Sequence, residues 1–275
     1  MSAQFTHRLI LPLQKRGNLG KSTTVALVSQ YCDQRNVSWR GFDLDPDHRS
    51  FSRLFPDNIV LREVSEEPET EVLKIARVCA ESPVVLVDPR AHLADALIRG
   101  LEIIRLPEQF ASAGGRITVP LFPGDDLEIL NDIDHLVTLL GNRVDYVILR
   151  NPARQPHTRM FTGSALEADL LGLGAVAIEL PALLGVARNH LAALEADLGH
   201  GVTHLEAVAN PSIGLDGMVR LIVEDWLRTV FRRFDTIAGK LLPAADAAKV
   251  TAVDSAALDG APRPTRGAKI NRNNL

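Results

Sequence analysis

Nine consecutive residues, Lys15-Arg16-Gly17-Asn18-Leu19-Gly20-Lys21-Ser22-Thr23, have the composition of a phosphate cradle. Gly17 and Gly20 permit backbone angles that turn successive N–H groups toward one anion, and a helix beginning at Lys21 adds the positive end of its dipole. In that arrangement Lys21 reaches the β- and γ-phosphates of a nucleotide while Ser22 ligates Mg²⁺. The strict spacing would put a glycine six residues before Lys21, where this chain has Lys15. A helix N-terminus that carries Gly-Lys-Ser-Thr with no ligand is therefore the competing reading.

Other residues fit the same chemistry. Phosphoryl transfer needs a cradle, a metal, a group that orients water and extra positive charge. Asp88 ends the apolar run Val84-Val85-Leu86-Val87 and is placed to hold a metal through water, a turn before Pro89 being the competing reading. Asp43 and Asp45 are two apart, so on a continuing strand they share a face, one supporting the metal and the other orienting water. The sequence Asp43-Leu44-Asp45-Pro46-Asp47 is equally good chemistry for a cap or turn, and Asp47 is assigned to a cap. Arg16 is either a phosphate-directed cation resembling an arginine finger or an exposed loop cation. His92, His157, His190 and His204 lack metal spacing and are expected in surface or packing roles.

The elements that must position these residues are legible from periodicity. Strand-like runs at 8–13, 37–43, 84–88, 116–122, 144–150 and 175–180 alternate with helical spacing at 21–35, 69–81, 125–140 and 164–172. The alternation predicts an α/β fold, a doubly wound, mostly parallel sheet flanked by helices, with a helical C-terminal segment from Pro181 to residue 242. Such sheets bind ligands beyond the carboxyl ends of their strands, where the cradle, Asp43, Asp88 and Asn151 all fall. Residues 1–242 are read as one nucleotide-binding domain and 243–275 as a disordered tail whose Arg263, Arg266, Lys269 and Arg272 offer a non-specific grip on DNA.

The chain has 275 residues, 46% of them apolar, enough for a substantial core, and a net charge of −4 that argues against wholesale nucleic-acid coating. Its two cysteines, Cys32 and Cys79, are far apart, which excludes a disulfide framework and a Cys-x-x-Cys site. A cytoplasmic setting without a spanning helix is expected.

The stretch 14–23, with Asp43-Leu44-Asp45-Pro46 about twenty residues on, resembles the deviant Walker A and following Asp-rich motif of ParA/MinD-type ATPases. Val84–Asp88 looks like their Walker B strand. Leu149-Arg150-Asn151-Pro152 with Glu179-Leu180-Pro181-Ala182-Leu183 looks most like the TraL-type ATPases of plasmid conjugal transfer. The resemblance, over roughly residues 8–240, implies a P-loop NTPase of the SIMIBI type. It further implies ATP and Mg²⁺ as cofactors, a homodimer formed on ATP, and a protein partner in transfer or partition machinery. It also implies that Asp45 assists water attack and that Asn151 and Pro181 meet the base. The family's signature lysine is replaced by Arg16 and one of its glycines by Asn18, which leaves trans contact and hydrolysis open. An amphipathic membrane helix of the MinD sort is a weaker reading of Val219–Phe234 than core packing. Two other functions compete: a nucleotide-gated scaffold with little hydrolysis, and a small-molecule kinase or ligase.

Overall fold

The computed structural model describes residues 5–61 and 68–259. In chain order the elements are β1 (His7–Ile10), α1 (Lys21–Gln34), β2 (Trp39–Asp43), β3 (Ile59–Leu61), α2 (Pro68–Glu81) and β4 (Val84–Asp88). Next come α3 (Ala94–Ile103), α4 (Leu106–Ser112), β5 (Gly115–Leu121), α5 (Leu127–Leu140), β6 (Asp145–Arg150), α6 (Ala165–Gly172) and β7 (Val176–Glu179). The chain then turns helical through α7 (Gly185–Leu198), α8 (His204–Ala209), α9 (Gly217–Asp235), α10 (Ala238–Leu241) and α11 (Ala244–Asp259).

Among the described residues seven strands form one sheet in the order β3-β2-β4-β1-β5-β6-β7, and every pairing is parallel. The expected doubly wound α/β sheet flanked by helices, with its helical C-terminal segment, is the observed architecture. From β1 the chain winds to one edge, returns through β4, and after β5 winds to the other edge. Its two halves diverge around the carboxyl end of β1, which opens a crevice there. Every residue of β4 is buried, as its unbroken Val/Leu run requires of a strand covered on both faces.

Three short elements escape the periodicity: β3, α3 and α4. A three-residue strand is too short to show a period, and α3 and α4 are separated by Ile104 and Arg105, the latter in the left-handed region at φ 51°. The tail also needs correction. Residues 244–259 form α11, and Ala247 and Val250 are buried against the core, so this stretch is not a disordered segment. An alanine-rich run carries few bulky side chains, and its helical propensity is the signal that went unread. Arg263, Arg266, Lys269 and Arg272 lie outside the described residues.

The amphipathic face of α9 is core. Val219, Val223, Leu227, Val230, Phe231 and Phe234 are buried, and Phe231 and Phe234 pack on Tyr31 of α1 at ring separations of 5.7 and 5.5 Å. The Tyr31 hydroxyl donates to Asp235 at 2.8 Å, which fixes α9 across α1 and so steadies the helix that leaves the glycine loop. A second, smaller cluster joins α7, α8 and α9 through Leu191, Leu194, Ala207 and Val223, with Leu183 and Val202 from the connecting segments.

His204 sits between these clusters, its ring 4.9 Å from that of Trp226 and its Nδ1 3.5 Å from Gln30 Nε2. This is the packing role the sequence suggests. Burial pushes its pKa down to about 4. An unfolded histidine accepts a proton near pH 6.5, so between those values the unfolded state binds more protons and stability rises with pH. The contribution is complete above pH 6.5 and is lost as pH falls toward 4, to a total of ~3 kcal/mol. Thermal melts from pH 7 to 4.5 are expected to show a smaller fall for His204→Leu than for the unaltered chain.

Candidate functional site

Most of the loop residues singled out in the sequence, with Asp43, Asp45 and Asp88, gather at the carboxyl ends of β1, β2 and β4. Gly17, Asn18, Leu19, Gly20, Lys21, Ser22 and Thr23 line a cavity of about 380 Å³, together with Asp45, His48, Pro89, Arg90, Ala91, His92 and Arg154. Two loop residues take left-handed backbone, Asn18 at φ 60° and Gly20 at φ 101°. Asparagine is among the few residues other than glycine that tolerate this region, so Asn18 keeps the turn where a glycine would otherwise stand. Gly20 is also the N-cap of α1 and has no side chain with which to cap it, so the first amides of the helix are left free of a side-chain acceptor, and Lys21, Ser22 and Thr23 line the cavity.

The loop is braced from three sides. Buried Gln14 spans from β1 to β5, its Nε2 donating to the Phe122 carbonyl at 3.2 Å and its Oε1 accepting from the Phe122 amide at 2.6 Å. Asn151, following β6, donates from Nδ2 to the Leu19 carbonyl at 3.1 Å. Asp132 of α5 accepts from the Lys15 amide at 2.8 Å. Asn151 is thereby occupied with the loop backbone, which gives it a structural duty apart from the base contact implied by the family resemblance.

Lys21 is buried and donates to the Arg16 carbonyl, which folds its amine back across the loop. Burial lowers its pKa, against the opposing pull of Asp88 and Asp132. Asp88 is 1% exposed, and among the described residues neither of its oxygens accepts a hydrogen bond. Burial pushes its carboxyl up to about 7, reinforced by Asp43 and Asp45, while the Ser22 hydroxyl and Lys21 pull it down. A buried carboxylate with both oxygens unsatisfied costs several kcal/mol when charged, and a divalent cation or a proton removes that cost.

Asp43 lies beside Asp88 in register on the neighbouring strand. Its carboxylate, assigned to the metal from the sequence, accepts instead from the amides of Asp45 (3.0 Å), Phe51 (3.2 Å) and Ser52 (2.8 Å). Three backbone donors make Asp43 the organiser of the loop after β2. Phe51 completes that anchor by packing over Gly41, where an added Cβ would lie 2.8 Å from the ring, and by meeting Phe55 and Trp39 at 5.6 and 6.0 Å.

Strand β2 ends at Asp43, so the two-residue alternation does not extend to Asp45. Asp45 caps the following turn, accepting from the Asp47 and His48 amides at 3.2 Å each, and its Oδ2 lies 3.0 Å from His48 Nδ1. Partial burial works against its charge, yet the hydrogen bonds from His48 hold the carboxyl below the usual range. Asp47 pairs with Arg90 at 2.7 Å.

Arg16 and Lys15 lie apart from the cavity of their own chain that holds Lys21. Arg16 is half-exposed and forms ion pairs with Asp126 (2.9 Å) and Glu128 (2.8 Å) at the start of α5, and Lys15 pairs with Asp95 of α3 at 2.8 Å. Pro181 is elsewhere too, its carbonyl accepting from Trp226 Nε1 at 2.7 Å. The sequence gives no contact role to His48, His92 or Arg154. All three stand in loops after strands, and their shared position beyond strand ends is the one signal that marks them.

Among the described residues no three His, Cys, Asp or Glu side chains gather as a metal-binding group. The donors present, one orphaned carboxylate and a serine hydroxyl, suit an ion that completes its shell with water and phosphate oxygens, as Mg²⁺ does. No family model matches the chain, and no curated protein matches it. Among the described residues no helix is long and apolar enough to cross a membrane.

Two outcomes follow. An added Cβ at Gly20 would lie 2.3 Å from Asn151 Nδ2 on a backbone that disfavours side chains, so Gly20→Ala is expected to cost about 2 kcal/mol in denaturant melts. For Asp88 the folded state keeps a proton that the unfolded chain releases near pH 4, so stability falls as pH rises from 4 to 7. Asp88→Asn is therefore expected to melt at a higher temperature than the unaltered chain at pH 8, with the gain gone near pH 4.

Proposed function

We propose that this chain is a Mg²⁺-dependent, ATP-binding switch of the ParA/MinD sort, a P-loop ATPase acting as a homodimer in plasmid conjugal transfer or partition. The observation that carries the reading is the Asp88 carboxylate, buried with both oxygens unpaired beside Lys21 and Ser22, under a loop whose amides open into one cavity. Lys21 and the Ser22 hydroxyl offset that charge only in part, and a metal ion held between Ser22, Asp88 and phosphate oxygens would complete the compensation. Lys21, Arg90 and Arg154 around the cavity suit the polyanionic tail of a nucleoside triphosphate. When bound, Mg²⁺ would neutralise charge on the β- and γ-phosphates.

The transfer or partition role rests on the motifs around Asn151 and Pro181 and on the resemblance they carry. A protein partner from that machinery, a non-specific DNA contact and a cytoplasmic setting belong to the same reading. The scaffold alternative draws on one observation, the capture of Arg16 by Asp126 and Glu128 in its own chain, away from the cavity.

Titration with ATP and Mg²⁺ followed by calorimetry tests the assignment. Lys21→Ala is expected to weaken MgATP binding about 10- to 100-fold, the loss of one charge-assisted contact. Unchanged affinity in that variant would overturn the site. Phosphate release by the unaltered chain separates switch from scaffold, and sedimentation with and without ATP reads the dimer.

A further inference from the structure

The loop after β2 carries a pair that the motif reading does not use. His48 Nδ1 lies 3.0 Å from Asp45 Oδ2, and both residues line the cavity that holds Lys21 and Ser22. Asp45 is poorly suited to orient water itself. Its Oδ1 is taken by two backbone amides and its Oδ2 faces the imidazole. Both residues line the cavity, and the side chain of Asp45 is 17% exposed against 75% for His48, so the imidazole is the more open of the two to solvent.

We propose that His48 is the catalytic base for nucleotide hydrolysis in this cavity and that Asp45 is its positioning residue; the proposal rests on the nucleotide reading above. In the tautomer that donates Nδ1–H to Asp45, Nε2 keeps a lone pair and accepts a hydrogen bond from water. The water oxygen forms a bond to the γ-phosphorus as the bond from that phosphorus to the bridging oxygen breaks, and the electron pair leaves on ADP. The water proton passes to Nε2. The resulting imidazolium is held by the Asp45 carboxylate, in the way a carboxylate steadies a catalytic histidine elsewhere, and returns its proton to solvent across its exposed edge. The β2 loop is fixed firmly enough for this duty by the three amides on Asp43 and by buried Phe51.

The test uses the full chain and four proteins: unaltered, His48→Ala, His48→Gln and Asp45→Asn. MgATP affinity, phosphate release at saturating ATP, and affinity for ADP with vanadate, a mimic of the reacting phosphoryl group, are measured for each. His48→Ala is expected to bind MgATP as the unaltered chain does, to lose about 100-fold in phosphate release, and to regain part of it with free imidazole. ADP-vanadate binding should weaken in parallel, and Asp45→Asn should slow release without imidazole rescue. Unchanged release in His48→Ala, a loss that imidazole does not restore, or an unaltered chain that binds MgATP and releases no phosphate would each overturn the role of His48 and leave the nucleotide site standing. Failure of the unaltered chain to bind MgATP would overturn both.

Discussion

A carboxylate without water is the constraint around which this molecule is arranged. Asp88 ends a strand buried on both faces, so its charge has no solvent to turn to, and among the described residues neither oxygen accepts a hydrogen bond of ordinary geometry, with the Ser22 hydroxyl and Lys21 as partial support nearby. Lys21 faces a complementary difficulty. It is buried at the start of α1, and burial depresses its pKa while Asp88 and Asp132 partly offset the cost. Two opposed charges held in a dry crevice without a direct hydrogen bond store an attraction that a ligand with both cationic and anionic parts can satisfy. Burial is the chief reason that the Asp88 carboxyl is pushed up to about 7.

Much of the surrounding structure serves to keep that crevice from collapsing. Gln14 ties the exit of β1 to that of β5, Asn151 ties the exit of β6 to the loop, and Asp43 gathers the loop after β2 onto its own strand end. Each brace is a buried polar side chain bonded to backbone, the economical way to hold irregular chain where no sheet or helix can. The aromatic trio Trp39, Phe51 and Phe55 supplies the apolar half of the same work and sets where Asp45 and His48 stand.

The comparison of sequence with structure is most instructive at residues whose type was read well and whose duty was not. Asp43, Asp45 and Asp88 are all carboxylates at or just beyond strand ends, and motif spacing treats them alike. Backbone amides distinguish them: three converge on Asp43, two on Asp45 and none on Asp88. Which amides reach a carboxylate depends on where the following loop turns, and that turn is fixed by Phe51 closing over Gly41, six and eight residues along the chain from Asp45 and Asp43. Arg16 gives the same lesson in charge. Its place in the loop points toward phosphate, yet the acids at the start of α5 lie more than a hundred residues away in the chain and hold it aside.

By itself the sequence determined the alternation of strand and helix, the unbroken apolar run of β4, the glycine-bearing loop before α1 and the gathering of polar residues past strand ends, because these follow from local periodicity and backbone freedom. It also favoured core packing for the apolar face of α9, where bulky side chains recur at helical spacing. Only the tertiary structure decided that Asp88 is the unpaired acid, that His48 lines the cavity beside Asp45, that Asn151 braces the loop, and that residues 244–259 continue the fold as α11. Those outcomes depend on which distant groups supply hydrogen bonds and which exclude water, and no short stretch of chain contains that information.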